Sequence, residues 1–179
     1  AALCHSHDAP TLTHPPRWVC YVYVLFHCVC GQSMDFHLAD KTALVTGSYR
    51  GTGFAIAETL LAEGAKVLVH GLDAEQAAAA VAELGAGIPV HGDISHEAGC
   101  QTLLDACANH SIQILINNYG GADPSTWLDS SSADWHSAFE KNVLSAQRIT
   151  QGLLPALLAS PWARIINLGT VGSTRPNSR

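Results

Sequence analysis

The sequence has few charged residues and no cluster of basic ones. Only 13% of its 179 residues are charged, the formal net charge is -6, and the nine Lys and Arg residues are scattered along the chain. Proteins that bind nucleic acids gather Lys and Arg on one face to meet the phosphate backbone. Nucleic acid is therefore not an expected partner. The 47% of hydrophobic residues is enough to form the core of one globular domain.

The sequence also lacks a C-x-x-C pair and an apolar run long enough to cross a membrane. Cys28 and Cys30, with nearby histidines, would be candidate metal ligands. Zinc sites usually pair their cysteines as C-x-x-C, however, so we predict no metal site. The run WVCYVYVLFHCVCG, residues 18–31, is shorter than the roughly 20 residues of a spanning helix. We therefore expect no association with a membrane.

Methionine is nearly absent, since Met34 is the only one. The apolar run before it would suit the core of a signal peptide, but only Arg17 precedes that run closely and no A-x-A-like cleavage site follows it. In contrast, MDFHLADKTALVTG reads as the natural start of a protein. We therefore interpret residues 1–33 as a non-native or disordered extension, translated from upstream sequence, and residues 34–179 as the folded domain.

From Met34 onward, short apolar runs alternate with helical patterns. The apolar runs predict strands, and strands separated by helices predict a parallel sheet joined by right-handed crossovers. The expected fold class is therefore α/β, a doubly wound, Rossmann-type sheet of about five strands. The predicted strands cover residues 42–46, 66–70, 88–93, 112–117 and 164–168, and the predicted helices start near Thr52 and cover 74–84, 97–110 and 133–158.

A few residues bear on where these helices begin and end. Gly64 stands where the first helix needs a carboxyl-terminal cap. Ser131 and Asp134 fit a capping box at the start of the last helix, and Pro155 should kink or break that helix near its end. Gly99 lies inside the third helix and weakens the expectation of a helix there.

Three glycines follow the first predicted strand, in TALVTGSYRGTG, residues 42–53. Because glycine is costly in regular structure, Gly47, Gly51 and Gly53 imply either a backbone with positive φ or something that approaches the backbone closely. A tight turn would need only one glycine. In a doubly wound sheet the first strand-to-helix turn lies where ligands bind, and the start of the following helix attracts phosphate. The pattern therefore predicts a cradle for a phosphate group.

The spacing of these glycines closely resembles the T-G-x-x-x-G-x-G loop of the short-chain dehydrogenase/reductase family. Four further motifs of that family follow in order: HGDIS (91–95), NNYG (117–120), KNVLSA (141–146) and RIINLGTVGS (164–173). The resemblance spans residues 36–179. It implies an NAD(P)-dependent oxidoreductase that moves hydride between the cofactor and a small-molecule carbonyl or alcohol substrate. It also implies a cytoplasmic protein, in a family whose full-length members are often homo-oligomers.

The resemblance assigns roles to single residues. Asn142 matches the catalytic asparagine that supports a proton-relay water, and the alternative is that it only satisfies backbone groups. Thr170 stands at the position of the catalytic serine, where it keeps a hydroxyl but adds a methyl group and a stiffer χ1. The implied cofactor-binding residues are Gly47, Ser48, Arg50, Gly51, Thr52, Gly53, Gly71, Asp93, Ile94, Asn117, Tyr119 and Gly120.

Three of these residues have alternative interpretations. Asp93 matches the aspartate that meets the adenine in the family, but it could equally be the N-cap of the next helix. Tyr119 stands where the family usually has alanine, and we leave open whether it is a wall of the cofactor pocket or a packing residue. Asn117 is expected to brace the end of the fourth strand rather than to touch substrate.

The residues after the second predicted strand bear on the choice of cofactor. NAD-preferring sites usually carry an acid there to hold the ribose hydroxyls, but this chain has Gly71 and Leu72, with Asp73 only after them. Arg50 in the glycine loop can pair with a 2′-phosphate. NADP(H) is therefore favoured, and NAD(H) becomes the alternative if Asp73 turns back toward the ribose.

In the family the general acid is a tyrosine, followed four residues later by a lysine that lowers its pKa. None of the tyrosines of this chain, Tyr21, Tyr23, Tyr49 and Tyr119, has a lysine four positions on. We therefore expect the chain to stop before its acid–base pair, to have a sheet that is incomplete at the carboxyl end, and to be inactive by itself. The alternative function is a non-catalytic dinucleotide-binding or sensor protein on the same fold.

Overall fold

The computed structural model describes residues 35–122, 126 and 128–170. The predicted amino-terminal extension, residues 1–33, lies outside the described residues, and so does the end of the last motif, residues 171–179. Among the described residues, no helix combines the length and the apolar character that a membrane span requires.

Among the residues that the structure describes, five parallel strands form the sheet. They are β1 (Thr42–Val45), β2 (Lys66–Gly71), β3 (Ile88–His91), β4 (Ile114–Asn117) and β5 (Arg164–Asn167). Their order is β3-β2-β1-β4-β5, and every neighbouring pair is parallel. The chain thus builds outward from β1 in one direction and then in the other, which places the topological switch point between β1 and β4. The predicted doubly wound α/β fold is confirmed.

The helices alternate with the strands and cover both faces of the sheet. They are α1 (Gly51–Ala62), α2 (Ala74–Leu84), α3 (Glu97–Cys107), α4 (Ser132–Phe139) and α5 (Ser145–Ala159). Successive strand residues point to opposite faces, so Leu44 joins a core with Leu103 of α3 and Ile149 of α5. Its neighbour Val45 joins a second core with Ala57 of α1. Both faces of the central strands are therefore buried, as expected for apolar strands in a parallel sheet.

Two of the predicted helix ends are confirmed. Gly64 adopts a left-handed conformation with φ of 81° just after α1, and its N–H donates to the Leu61 carbonyl at 3.0 Å. At the start of α4, the Ser131 side chain accepts from the Asp134 N–H while the Asp134 carboxylate accepts from the Ser131 N–H, which completes the capping box. These helix ends could be predicted from the sequence because capping is a local interaction.

The helical stretch predicted over residues 133–158 is confirmed, but it is not one regular α-helix. The chain forms α4, then a π-helical turn over Glu140–Leu144, then α5. A π turn inserts an extra residue into the helical ladder, and such turns often mark functional sites. Pro155 does not break α5, which continues to Ala159. The buried apolar stripe of α5 on the sheet holds the helix together although a proline removes one backbone donor.

Candidate functional site

The loops after β1 and β4 meet at the switch point and enclose a cavity of about 590 Å³. Parallel strands bring their carboxyl ends to one edge of the sheet, so the glycine loop and the NNYG motif lie side by side there. The lining residues are Gly47, Tyr49, Arg50, Gly51, Thr52, Gly53, Leu72, Asn118, Tyr119, Gly120, Gly121, Ala122 and Lys141. Seven of the predicted cofactor residues are in this set: Gly47, Arg50, Gly51, Thr52, Gly53, Tyr119 and Gly120.

The three glycines of the loop are required for two different reasons. Gly47 and Gly51 have φ values of 64° and 59°, which residues with a side chain rarely adopt. Gly53 sits inside α1, where a Cβ atom would overlap the Gly47 carbonyl oxygen and the Asn118 amide nitrogen. The space beside Gly51, in contrast, is open. The close approach at Gly53 is therefore made by the loop itself, and Gly51 is the position that faces the cavity without obstruction.

The side chains that directly follow β1 and β4 hold the glycine loop in place. The Thr46 hydroxyl accepts the N–H groups of Asn118 and Tyr119, both at 3.0 Å. The Asn118 side-chain amide donates in return to the carbonyl oxygens of Thr46 at 2.9 Å and Gly47 at 3.1 Å. The sequence analysis missed Asn118, although the doubled asparagine of NNYG was the available signal. Its role depends on a contact between two loops that are far apart in the sequence.

The start of α1 points its backbone donors at the cavity. The N-cap residue is Arg50, whose side chain makes no capping hydrogen bond. The first N–H groups of a helix have no partner within the helix, and together with the helix dipole they favour an anion by about 0.3–1 kcal/mol. Gly51, Thr52 and Gly53 supply these groups along the cavity wall. This end of α1 is thus equipped to bind phosphate.

The charges around the cavity are positive. Arg50 and Lys141 line it, and none of its described lining residues is an Asp or a Glu. The Arg50 guanidinium lies 5.0 Å from the centre of the Tyr49 ring, within the distance of a cation–π contact. Asp73 is the N-cap of α2, where its carboxylate accepts the Gln76 N–H at 2.8 Å. Asp73, the acid that would favour NAD(H), is therefore engaged in capping α2.

Three of the predicted cofactor residues support the cavity from behind or beside it. Ser48 is fully buried, and its hydroxyl donates to the Val45 carbonyl at 2.7 Å. Gly71 is also buried, and a Cβ atom there would come within 2.6 Å of a backbone nitrogen of α2. Ile94 belongs to the core between the sheet and α3. Ser48, Gly71 and Ile94 thus affect the site indirectly, because they stabilise the strands, the turn and the helices around it.

Asp93 is exposed and is not the N-cap of α3. That position belongs to His96, so the capping alternative is wrong. The Asp93 carboxylate accepts the Ser95 N–H at 3.1 Å and the Ser95 hydroxyl at 2.6 Å. Partial burial raises the pKa of Asp93, but the hydrogen bonds from Ser95 outweigh it and the pKa lies below its usual value. The carboxylate is therefore ionised at neutral pH beside the end of β3.

A second cavity of about 550 Å³ lies on the other side of Tyr119, between the ends of β4 and β5 and the helix α5. Asn117 lines it, and its amide donates to the Thr150 hydroxyl at 3.0 Å and to the Asn167 side-chain oxygen at 2.8 Å. Asn117 thus joins β4, β5 and α5. This geometry agrees with the predicted bracing role.

Asn142 lines the second cavity from the π-helical turn. Its amide nitrogen donates to the Gly121 carbonyl and to the Ala138 carbonyl, each at 2.9 Å, and its oxygen accepts the Gly121 N–H at 2.9 Å. A Cβ atom on Gly120 would lie 2.7 Å from that oxygen. The side chain therefore fastens the loop after β4 to the π-helical turn, so it satisfies backbone groups, and a catalytic role stays a prediction.

Tyr119 separates the two cavities, since it lines both. Its ring packs edge-on against the ring of His70, with the centroids 6.3 Å apart. Burial raises the pKa of the Tyr119 phenol above its usual value. Thr170 is exposed and follows β5 by three residues, at the same edge of the sheet as the loops described above.

Comparison with known proteins identifies what this chain is similar to. The family model described as short chain dehydrogenase matches residues 41–179. An uncharacterized oxidoreductase of Bacillus subtilis, YvrD, is 34% identical over 147 residues, which are 80% of this chain and 56% of that protein. The D-beta-hydroxybutyrate dehydrogenase of Cupriavidus necator is 37% identical over 139 residues, 74% of this chain and 54% of that protein.

Two solved structures are similar in fold as well. The L-sorbose reductase of Gluconobacter frateurii, complexed with NADPH and L-sorbose, superposes with a TM-score of 0.76 at 26% identity and covers 81% of this chain and 58% of the reductase. A 3-oxoacyl (acyl-carrier-protein) reductase of Agrobacterium tumefaciens with NADP bound has a TM-score of 0.73 at 32% identity, with 79% and 57% coverage. The chain thus spans little more than half the length of these relatives.

Proposed function

Since this chain belongs to the short chain dehydrogenase family, we propose that it binds NADP(H) and serves hydride transfer between that cofactor and a small carbonyl or alcohol substrate. The observation that carries the proposal is the cavity at the switch point. It joins a glycine cradle, the start of α1 and two cationic side chains, and its described lining contains no carboxylate. A dinucleotide with an additional 2′-phosphate is the polyanion that such a cavity suits. The two solved relatives are described with NADPH and NADP bound.

The described residues fit the cofactor in distinct ways. Gly51 leaves open space for a pyrophosphate to approach the backbone, and Arg50 can form a charge-assisted pair with a 2′-phosphate. When bound, the nicotinamide supplies or accepts the hydride. On the protein side, we propose that Thr170 donates a hydrogen bond to a substrate carbonyl and that Asn142 supports the path of the proton.

The choice of NADP(H) over NAD(H) is tested with Arg50→Ala. Loss of the charge-assisted hydrogen bond should weaken NADPH about tenfold, which corresponds to about 1.4 kcal/mol. NADH has no 2′-phosphate, so its affinity should change by less than about twofold. Fluorescence titration of both cofactors measures the difference. Arg164→Ala is the matched control, because Arg164 stacks on Trp162 at 4.6 Å and does not line the cavity. Equal losses for NADPH and NADH would refute the role of Arg50.

The 179-residue polypeptide should bind NADPH without turning it over. In the family the proton comes from a tyrosine assisted by a lysine four residues later, and these 179 residues contain no such pair. A positioned general acid is typically worth about 10² to 10⁴ in rate. We expect no carbonyl-dependent loss of NADPH absorbance with a panel of ketones and aldehydes. Saturable turnover would overturn this expectation.

The alternative, a dinucleotide-binding or sensor protein without catalysis, predicts the same binding. Sequencing the encoding DNA past codon 179 would distinguish the two functions. A Tyr-x-x-x-Lys motif there supports the oxidoreductase, and its absence from a complete reading frame supports the sensor. A cytoplasmic location and assembly into a homo-oligomer remain predictions from the family.

A further inference from the structure

We propose, building on the function proposed above, that His70 is a positioning residue of the cofactor site, whose buried imidazole holds the glycine loop in the conformation that receives the dinucleotide. His70 is the second-last residue of β2 and does not line either cavity described above. It would act on the cofactor only through the backbone of the loop.

Both ring nitrogens of His70 are engaged by backbone groups. The Gly47 N–H donates to Nδ1 at 2.8 Å, and Nε2 lies 2.8 Å from the Gly92 carbonyl oxygen. An N–H can only donate and a carbonyl oxygen can only accept, so the ring must be neutral with its proton on Nε2. The side chain is 0% exposed, and this burial lowers its pKa to about 4. The imidazole is therefore uncharged at neutral pH, as the two bonds require.

The backbone of His70 reinforces the same connection. The Ser48 N–H donates to the His70 carbonyl at 3.0 Å, and the His70 N–H donates to the Ser48 hydroxyl at 2.8 Å. One residue of β2 thus binds the first two residues of the glycine loop. Through Gly92 the same ring also reaches the end of β3.

These contacts fix the peptide groups around Gly47. Its N–H is held by His70 and its carbonyl oxygen by the Asn118 amide at 3.1 Å. Gly47 has a φ of 64°, and glycine can leave that conformation easily because it has no side chain to restrict it. The hydrogen bond from its N–H therefore selects one loop conformation out of several. In that conformation the start of α1 faces the cavity.

Three substitutions separate positioning from mere packing. His70→Asn keeps an acceptor near the position of Nδ1 and loses the bond to Gly92. His70→Gln reaches the position of Nε2 and loses the acceptor for Gly47. His70→Leu loses both bonds and keeps a buried side chain of similar size. The Kd of NADPH is measured by fluorescence titration, the stability by urea unfolding, and the protection of the Gly47 amide by hydrogen exchange.

We expect His70→Asn to bind NADPH within about threefold of the wild type, and His70→Gln and His70→Leu to bind at least about tenfold more weakly. The Gly47 amide should exchange faster in His70→Gln and His70→Leu but not in His70→Asn. His70→Asn and His70→Gln should lose similar amounts of stability, since each loses one buried hydrogen bond.

The proposal is overturned if affinity follows stability in all three variants, or if His70→Gln keeps its affinity while His70→Asn loses it. Wild-type binding with unchanged affinity in every variant would leave the proposed function standing and remove the role of His70. A wild-type chain that binds neither NADPH nor NADH would refute the proposed function itself, and the positioning role with it.

Discussion

Gly53→Ala should reduce the affinity for NADPH by about a hundredfold or more, which corresponds to about 2.7 kcal/mol. The added methyl group would overlap the Gly47 carbonyl oxygen and the Asn118 amide nitrogen, and it would come within 2.9 Å of the Gly47 carbonyl carbon. Two of these three atoms belong to the backbone of the loop, so no side-chain rotation can relieve the overlap. The loop must move away from α1, which disrupts the wall of the cavity proposed to bind the phosphates.

Gly51→Ala and Gly85→Ala together show whether a ligand reaches the loop. Both glycines have positive φ, 59° and 71°, and apart from the adjoining backbone neither has a heavy atom within 4 Å of the position of a Cβ. Each substitution should therefore cost a similar strain of about 1–2 kcal/mol in stability. Gly85 lies at the end of α2 and does not line the cavity, so only Gly51→Ala should lose affinity for NADPH. Equal affinities in the two variants would mean that no phosphate approaches Gly51.

Gly99→Ala should destabilise the whole domain by about 3 kcal/mol or more. In α3, a Cβ atom on Gly99 would overlap the carbonyl group of Asp93 and lie 2.7 Å from the Asp93 nitrogen. These are backbone atoms of the turn between β3 and α3. The turn therefore packs directly on the helix, and a methyl group would push α3 away from Ile94 and the core beneath it. Urea unfolding monitored by circular dichroism measures the loss.

Gly152→Ala is the matched control, because Gly152 also lies inside a helix, α5. There a Cβ atom would meet the side chain of Leu104, and the atoms that it meets most closely are the terminal methyl groups. Those methyl groups can rotate away, and alanine favours a helix over glycine by about 1 kcal/mol. The stability of Gly152→Ala should therefore stay within about 1 kcal/mol of the wild type. If Gly99→Ala changes the stability as little as Gly152→Ala does, the close packing of Gly99 on Asp93 is not needed for the stability of the domain.

The sequence by itself determined the class of the fold, the place of the cavity at the switch point and several helix ends. Apolar runs of strand length between helical patterns are a property of neighbouring residues, and burial on both faces leaves few architectures for them. The glycine cluster and the box of Ser131 and Asp134 are likewise local, since each satisfies backbone groups within a few residues. The division of the last helix by a π-helical turn at Glu140–Leu144 had no such local signal.

Only the tertiary structure decided which residues hold the site together. The Asn118 amide meets Gly47 across 71 residues of chain, and the His70 ring meets Gly92 across 22. Gly99, which weakened the expectation of a helix, is the point where Asp93 packs on α3. Such contacts depend on the order of the strands and on where each side chain lies in the folded structure, because a hydrogen bond needs its partners within about 3 Å. Periodicity along the chain carries no information on that distance, so these residues became visible only once β1, β2 and β4 lay side by side.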